Sequence, residues 1–488
     1  MRVAHSIIES KWLAEAAIII VILPPISPAF AQSPPLSPDR PWHSSDERQI
    51  ISEAERFHPP PFPIESDKAW SLAELIDMAE AQNPETRVAW ENARSQAAAL
   101  GIARSELFPT LAAVTLAGVS RDESGLGSRF YRQTIPAYQL SLDLSYTILD
   151  FGARRGRINA ERARLLASNF AFNDVHRQLI FDVSRAYYRL LNAAGQEEAA
   201  GASLVNAQAV QQAAEERLRN GLATLPDVLE ARSATAQAQY DLQEVLGAEK
   251  IARGDLATAL GAPATTRLRV QPLRVITTPE SLSDTVEEAI HRALDQRPDI
   301  QAQIAELHEA QAERQEARAA FFPTVSVSAT PSAQSLYIMQ QQLPWGHTAD
   351  LTGGATASLD WTVFDGGARR KRLAQAEAQI KATQARVAAT RDQIEDQVWT
   401  AYSNLNTAFR QRQAATALLT AATQSYSAAL ESYNYGVRNL LDVTNAQKVL
   451  AQARSTDIQA RTEVLAALAD LAFRTGDAIQ SNARKTGP

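Results

Sequence analysis

Two acids stand where this chain could act with charge. Asp227 lies three residues after Thr224, in Thr224-Leu225-Pro226-Asp227, and Asp442 lies three residues after Asn439, in Asn439-Leu440-Leu441-Asp442. Each spacing is that of an N-cap residue with an acid at the third helical position, where a carboxylate meets unpaired N–H groups and the positive end of the helix dipole. Pro226 suits such a first turn because no N–H is required there. For either acid alone, helix capping and a functional carboxylate are equally open readings. No other reactive constellation is present. Cysteine is absent, which excludes a thiolate nucleophile, a thiolate metal site, a disulfide framework and a lipidated N-terminal cysteine. The seven histidines are scattered without metal-ligand spacing. There is no Gly-x-Ser-x-Gly, no His-Glu-x-x-His and no Gly-x-x-x-x-Gly-Lys-Ser/Thr. No enzyme, cofactor or metal site is expected.

The elements that must hold these acids are unusually long. From Gly152 to about Arg219 there is no proline and little glycine, so the stretch 152–219 predicts a helix of about 100 Å. Its apolar residues, Leu166, Phe170, Val175, Leu179, Val183, Ala186 and Leu190, recur at coiled-coil-like steps. The turn 220–226 ends it, and a helix from Leu225 to about Leu260 returns. An earlier helix, from Pro84 to Leu107, stops at Phe108-Pro109. The helices 84–107 and 225–260 laid end to end reach about 90 Å, close to the single rod beside them.

At the other end of the rod is a strand. From Tyr138 to Ile148 every second residue is apolar (Tyr138, Leu140, Leu142, Leu144, Tyr146, Ile148), and Gln139, Ser141, Asp143, Ser145 and Thr147 alternate with them. A strand of about 10 residues with one greasy and one wet face suits a transmembrane β-barrel. The strand 110–120, with Val114 and Leu116 on one face, precedes it, and the polar, Gly-containing stretch 121–136 reads as a loop outside the cell. Leu149-Asp150-Phe151-Gly152-Ala153-Arg154 then turns strand into helix.

The whole unit recurs. A short helix, 71–82 in the first half and 284–296 in the second, leads each copy. Phe322-Pro323 repeats Phe108-Pro109, strands follow at 324–330 and 351–363 around a loop at 331–349, and Phe364-Asp365-Gly366-Gly367-Ala368-Arg369 repeats the strand-to-helix junction. The helix 368–433, the turn 434–439 and a last helix to about Arg474 complete it. The chain thus reads as repeat 1 (70–265), a linker with a possible strand (266–282), repeat 2 (283–475) and a tail (476–488). Gly152, Gly366 and Gly367 serve the sharp junctions.

Ahead of the repeats, Arg2 and Lys11 precede the apolar run Ala16–Leu23, and Ala29-Phe30-Ala31 gives a small-x-small cleavage pattern. This reads as a signal peptide over 1–31. The Pro-rich stretch 32–68 reads as an extended arm of polyproline character. The formal net charge of -7 gives no support to nucleic-acid binding. A mean hydropathy of -0.24 argues against a helical membrane bundle, but alternating strands escape that test.

Four strands cannot close a barrel, and an open sheet edge is not tolerated in lipid. The chain must therefore associate through its strands. Two chains give eight, whose side chains fill the bore; three give twelve, wide enough for a conduit.

The duplication, the Phe-Pro strand starts, the Asp150-Phe-Gly-Ala-Arg154 and Asp365-Gly-Gly-Ala-Arg369 junctions, and the turns Gly221…Asp227-Val-Leu and Gly436…Asp442-Val together resemble the TolC-type outer-membrane factor family over residues 70–475. The resemblance implies a mainly α protein: a homotrimer whose twelve-stranded β-barrel in outer-membrane lipid continues as a long α-helical barrel in the periplasm, with a small mixed equatorial domain. It implies partners, a periplasmic adaptor and an inner-membrane transporter. It implies an outer-membrane exit duct of a tripartite efflux pump that passively conducts drugs or other small molecules. The alternative within the class is a type I protein secretion channel; outside it, a soluble periplasmic coiled-coil scaffold. It further implies a periplasmic gate in which Tyr433 and Arg438 latch onto Asp227. A pair of acids one helical turn apart often marks the constriction in this family; here Asp442 is matched with Asn445, which halves the acidic ring. Gly221, Leu222, Ala223, Thr224, Gly436 and Val437 at the tips are candidate adaptor contacts. Trp345, Trp361 and Tyr146 are candidate membrane-interface aromatics.

Overall fold

A computed structural model describes residues 47–56, 68–126, 129–273, 285–340 and 346–477. The expected signal peptide, most of the Pro-rich arm, most of the linker 266–282, Trp345 and the end of the tail lie outside these residues. The chain divides into Met1–Pro63 and Ile64–Pro488. In the first unit, the expectation of an extended arm is corrected at Glu47–Arg56, which is a helix (α1). That decapeptide has no proline, and Gln49 and Glu53 bond across one turn at 2.9 Å.

The second unit opens with β1 (Ala69–Trp70), which pairs in parallel with β4 (Arg269–Val270). Two short helices, α2 (Leu72–Gln82) and α6 (Val286–Gln296), each start at a capping box, Ser71 with Glu74 and Thr285 with Glu288. The rods are α4 (Ala153–Arg219) and α8 (Ala368–Asn434), each 67 residues, or about 100 Å. The half-length helices are α3 (Pro84–Ser105), α5 (Leu225–Ala259), α7 (Pro298–Ala319) and α9 (Leu440–Thr475). α3 and α5 pack along one side of α4, while α7 and α9 lie between α4 and α8. The seams are rich in alanine, such as Ala207, Ala214, Ala231, Ala408, Ala429 and Ala453, all buried. Small side chains let the rods approach closely.

The strands are β2 (Thr110–Leu126), β3 (Arg129–Leu149), β5 (Thr324–Ala329), β6 (Ser332–Gln340), β7 (Gly346–Thr352) and β8 (Ala355–Asp360). β2 pairs with β3 along its whole length, so the loop expected at 121–136 is instead the upper part of a hairpin turning between Leu126 and Arg129. The backbone ladder continues where the apolar alternation stops. The loop expected at 331–349 likewise holds β6 and part of β7, and the strand expected over 351–363 ends at Asp360.

β5 and β6 pair with the lower and upper parts of β3, and with β8 and β7 in turn. They are one strand broken at Thr330-Pro331, facing another broken at Gly353-Gly354. Thr330 N–H still donates to Gly354 O at 2.9 Å and Leu142 N–H to Pro331 O at 3.0 Å. A Cβ on Gly353 would stand 2.9 Å from Pro331 Cα, so the proline break needs glycine opposite. The result is a four-stranded antiparallel sheet whose outer strands, β2 and β7/β8, have edges unpaired among the described residues.

Register fixes the faces. Tyr138, Leu140, Leu142 and Leu144 share a face with Leu111, Ala329, Ala333 and Leu351, and Ser141, Asp143 and Ser145 share the other with Ser328 and Ser332. Val114 and Leu116 pair with Ser141 and Gln139, so they lie on the wet face. No described helix is long and apolar enough to cross a membrane.

Candidate functional site

The two turns at the far end of the rods close in the same way. α4 ends with Leu222 N–H donating to Arg217 O at 2.8 Å and α8 with Val437 N–H donating to Ser432 O at 2.9 Å. Gly221 (φ 70°) and Gly436 (φ 76°) take the left-handed conformation that such closures need. Four helices share one core just behind the turns: Val210 and Ala214 from α4, Val228 and Ala231 from α5, Ala429 and Tyr433 from α8, Leu440 and Val443 from α9.

Asp227 is engaged within its own turn. Its Oδ2 accepts from Thr224 N–H at 2.8 Å and from Thr224 Oγ1 at 2.7 Å. The Thr224 N–H bond first, then its hydroxyl, hold the carboxyl below the ordinary carboxylate range against slight burial. The second turn is capped differently: Asn439 Oδ1 accepts from Asp442 N–H at 3.0 Å, which leaves the half-exposed Asp442 carboxylate out of the cap. Asn445 follows it, exposed.

Tyr433 is buried, and its hydroxyl has no hydrogen-bond partner among the described residues. Burial pushes its phenol up; the Arg217 charge opposes this and the Asp227 charge adds to it. Arg438 is exposed and forms no ion pair among the described residues. Within one chain, therefore, Tyr433 lies in the field of Asp227 without bonding it, and Arg438 joins neither. The residue that does engage Tyr433 is Arg217, which sequence reasoning missed. Its Nη1 donates to Tyr433 O at 2.6 Å and its guanidinium lies 4.5 Å from the ring centroid. The signal was available in the repeat: aligning Gly221 with Gly436 puts Arg217 opposite Ser432, so this cation exists in one copy only.

Leu222 and Val437 are 68% and 78% exposed. Thr224 is exposed too and Ala223 partly so. Both turns thus present apolar and small groups to solvent.

At the opposite end, Gly152 (φ 98°) and Gly367 (φ 89°) begin α4 and α8. Asp150 and Asp365 accept from their N–H groups at 3.1 and 3.0 Å. Above these junctions the wet face of the sheet is laced by hydroxyl pairs, Thr110 with Ser145, Ser326 with Ser358, Ser328 with Thr356 and Ser332 with Thr352, at 2.7–2.8 Å. The arrangement offers a hydrated polar surface beside an apolar one. Trp361 is exposed just beyond β8, its indole N–H donating to Phe321 O at 3.2 Å, and Tyr146 lies on the apolar face.

A sequence model described as outer membrane efflux protein matches residues 75–262 and 289–477, one stretch per repeat. Protein CyaE of Bordetella pertussis (strain Tohama I) is 30% identical over 84% of this chain and 85% of its own length. Outer membrane protein OprJ of Pseudomonas aeruginosa is 26% identical over 82% of each chain. Among solved structures, the outer-membrane channel OprN superposes with a TM-score of 0.73 at 22% identity, over 86% of this chain and 95% of that one.

Proposed function

The chain belongs to the outer membrane efflux protein family, and from that membership we propose that it is the exit duct of a tripartite pump, conducting drugs or other small molecules across the periplasm and outer membrane. The observation that carries this reading is the sheet. It has one apolar face, one hydroxyl-lined face and two edges unpaired among the described residues. Lipid admits a sheet only when its edges are closed. Three copies supply twelve strands, enough for an open bore.

The same association covers the helices. Trp90, Ile102, Tyr240 and Ile251 on α3 and α5, and Trp399 on α8, are 47–71% exposed on the outermost helices of the chain. Joining α8 of one copy to α3 and α5 of the next buries these groups and continues the bore as a helical barrel. The exposed tip residues Leu222 and Val437 are the docking points for a periplasmic adaptor, which brings the inner-membrane transporter that selects the cargo. The unpartnered Tyr433 hydroxyl and the exposed Arg438 support a latch onto Asp227 formed between copies rather than within one.

Purified protein reconstituted in planar bilayers tests the duct. The expected result is stepwise single-channel current from a particle with the mass of three chains. A monomer that carries no current overturns the reading.

A further inference from the structure

α4 and α8 both end at the tip, but α7 and α9 lie between them along the rods. The contact from Arg217 to Tyr433 spans that separation. Tyr433 O is already the acceptor that closes the α8 turn, taking Gly436 N–H at 2.9 Å, and Arg217 Nη1 adds a second bond to it at 2.6 Å. The guanidinium also neutralises the negative end of the α8 dipole, as a cation at a helix C-terminus does. Its plane lies over the Tyr433 ring at the same time. Only a flat, forked cation can bond a carbonyl and cover a ring together. Arg217 Nη2 also lies beside the sharpest residue of the turn, 3.9 Å from where a side chain on Gly436 would begin.

The contact is strong on one atom and incomplete on two others. Arg217 Nε and Tyr433 Oη are both buried without hydrogen-bond partners among the described residues. Buried polar groups left unpaired favour any rearrangement that gives them partners or water. The buried Arg217 Nε left without a partner among the described residues lowers the cost of releasing the hold.

We propose that Arg217 is the positioning residue of the periplasmic gate: it fastens the α8–α9 turn to the end of α4, and loss of that hold opens the tip. The proposal rests on the exit-duct reading. It concerns a contact inside one chain that shares Tyr433 with the latch to Asp227 and Arg438, but uses the carbonyl and ring of that residue rather than its hydroxyl.

The test is single-channel recording of the full-length protein in planar bilayers. Arg217→Ala raises the ratio of open to closed time by about tenfold, the change expected from losing one charge-assisted hydrogen bond. Arg217→Lys keeps the charge without the fork and gives a smaller rise. Tyr433→Phe removes only the hydroxyl and leaves the Arg217 contact in place, whereas Tyr433→Leu also removes the ring and raises the ratio beyond Tyr433→Phe, though by less than Arg217→Ala, because the bond to the Tyr433 carbonyl survives. Arg219→Ala, on an exposed neighbour, leaves the records unchanged. Wild-type gating in an Arg217→Ala protein that still resists heating as a trimer overturns the proposal. Should that variant not assemble, wild-type gating in Arg217→Lys overturns it. A wild-type protein that passes no current removes the duct itself, an outcome visible before any substitution is made.

Discussion

Asp150 and Arg154 clasp one another across the first turn of α4. Asp150 Oδ2 accepts from Arg154 Nε at 2.6 Å and from Arg154 N–H at 3.0 Å, and the guanidinium reaches back to Glu106 O at 3.0 Å. The second repeat reproduces the clasp with Asp365 and Arg369 at 2.8 and 2.9 Å. The sheet ladder ends here and the helix has unpaired N–H groups, so the carboxylate serves both.

Asp150→Ala should therefore lower stability by about 1–2 kcal/mol, the usual cost of a lost cap, read as a lower midpoint of thermal unfolding. The effect should depend on pH. Burial alone would raise the Asp150 carboxyl, but the Arg154 guanidinium, then the N–H groups of Arg154 and Gly152, override it and leave it below its ordinary value. A lowered carboxylate stabilises fully above its unfolded value, about pH 4, and loses that contribution as the pH falls through the folded value. The difference between wild type and Asp150→Ala should be constant near neutrality and shrink below about pH 4. A difference that grows on acidification would contradict the assignment.

The next residue breaks the repeat. Phe151 has φ 51° and its counterpart Gly366 has φ 64°. Left-handed backbone costs a side-chain-bearing residue about 1 kcal/mol, and Phe151 offsets it by stacking on Phe322, with ring centroids 5.1 Å apart. Gly366→Ala should cost about 1 kcal/mol, all of it backbone strain, because nothing lies within 4 Å of the added Cβ. Phe151→Gly exchanges strain relief against a lost aromatic pair of similar size and should be near neutral. Phe151→Ala keeps the strain and loses the pair, and should be the worst of the three by thermal unfolding.

Much of this architecture was legible because its signals are local. The Tyr138–Ile148 alternation is a period of two, and 67-residue helices without interior proline announce themselves. What escaped was non-local or lay beyond the apolar zone. Past Arg121 and Pro136 the β2–β3 ladder runs on through polar residues, so hydrogen bonding persists where the hydrophobic pattern does not. Val114 and Leu116 look like a lipid face in isolation, and only pairing with Ser141 and Gln139 shows otherwise. The break at Pro331 is visible as a proline, but its fit against Gly353 spans a hairpin. At the tip, Asp227 and Asp442 could be found as caps, whereas Arg217 gains meaning only from the Tyr433 carbonyl on another rod.

Close packing of the rods gives a sharper test. A Cβ on Gly156 would stand 2.8 Å from Glu316 N and 3.1 Å from Ala312 O, both backbone atoms of α7. Neither can rotate away. Gly156→Ala should push α4 and α7 apart and cost about 1–3 kcal/mol, as overpacking does. Gly201, on the same helix, has nothing within 4 Å. Gly201→Ala should stabilise by about 0.5–1 kcal/mol through helix propensity. Opposite signs on one helix, measured as the thermal unfolding midpoints of the two variants, are the expected outcome.

The break between α6 and α7 carries the last prediction. Asn83 in the first repeat and Arg297 in the second precede the prolines that start α3 and α7, and both reach the end of the returning helix: Asn83 Nδ2 donates to Ala259 O at 3.2 Å, Arg297 Nη1 to Arg474 O at 3.4 Å. Arg297 is buried and pairs with Asp299 through Nε at 3.1 Å and Nη2 at 2.5 Å. Burial works to raise the Asp299 carboxyl, and Arg297, with help from the Arg177 charge, holds it below its ordinary value instead. Arg297→Ala leaves that carboxylate largely uncompensated and should cost about 3 kcal/mol near neutrality, against about 1 kcal/mol for Asn83→Ala, where only a neutral cap is lost. Acid should bring the two deficits closer together. In the wild type the lowered Asp299 loses its contribution as the pH falls through its folded value. In Arg297→Ala, burial pushes Asp299 up, so protonation relieves the folded state. The deficit of Arg297→Ala should therefore narrow on acidification while that of Asn83→Ala stays level, a contrast that paired unfolding curves at pH 7 and at about pH 4 would resolve.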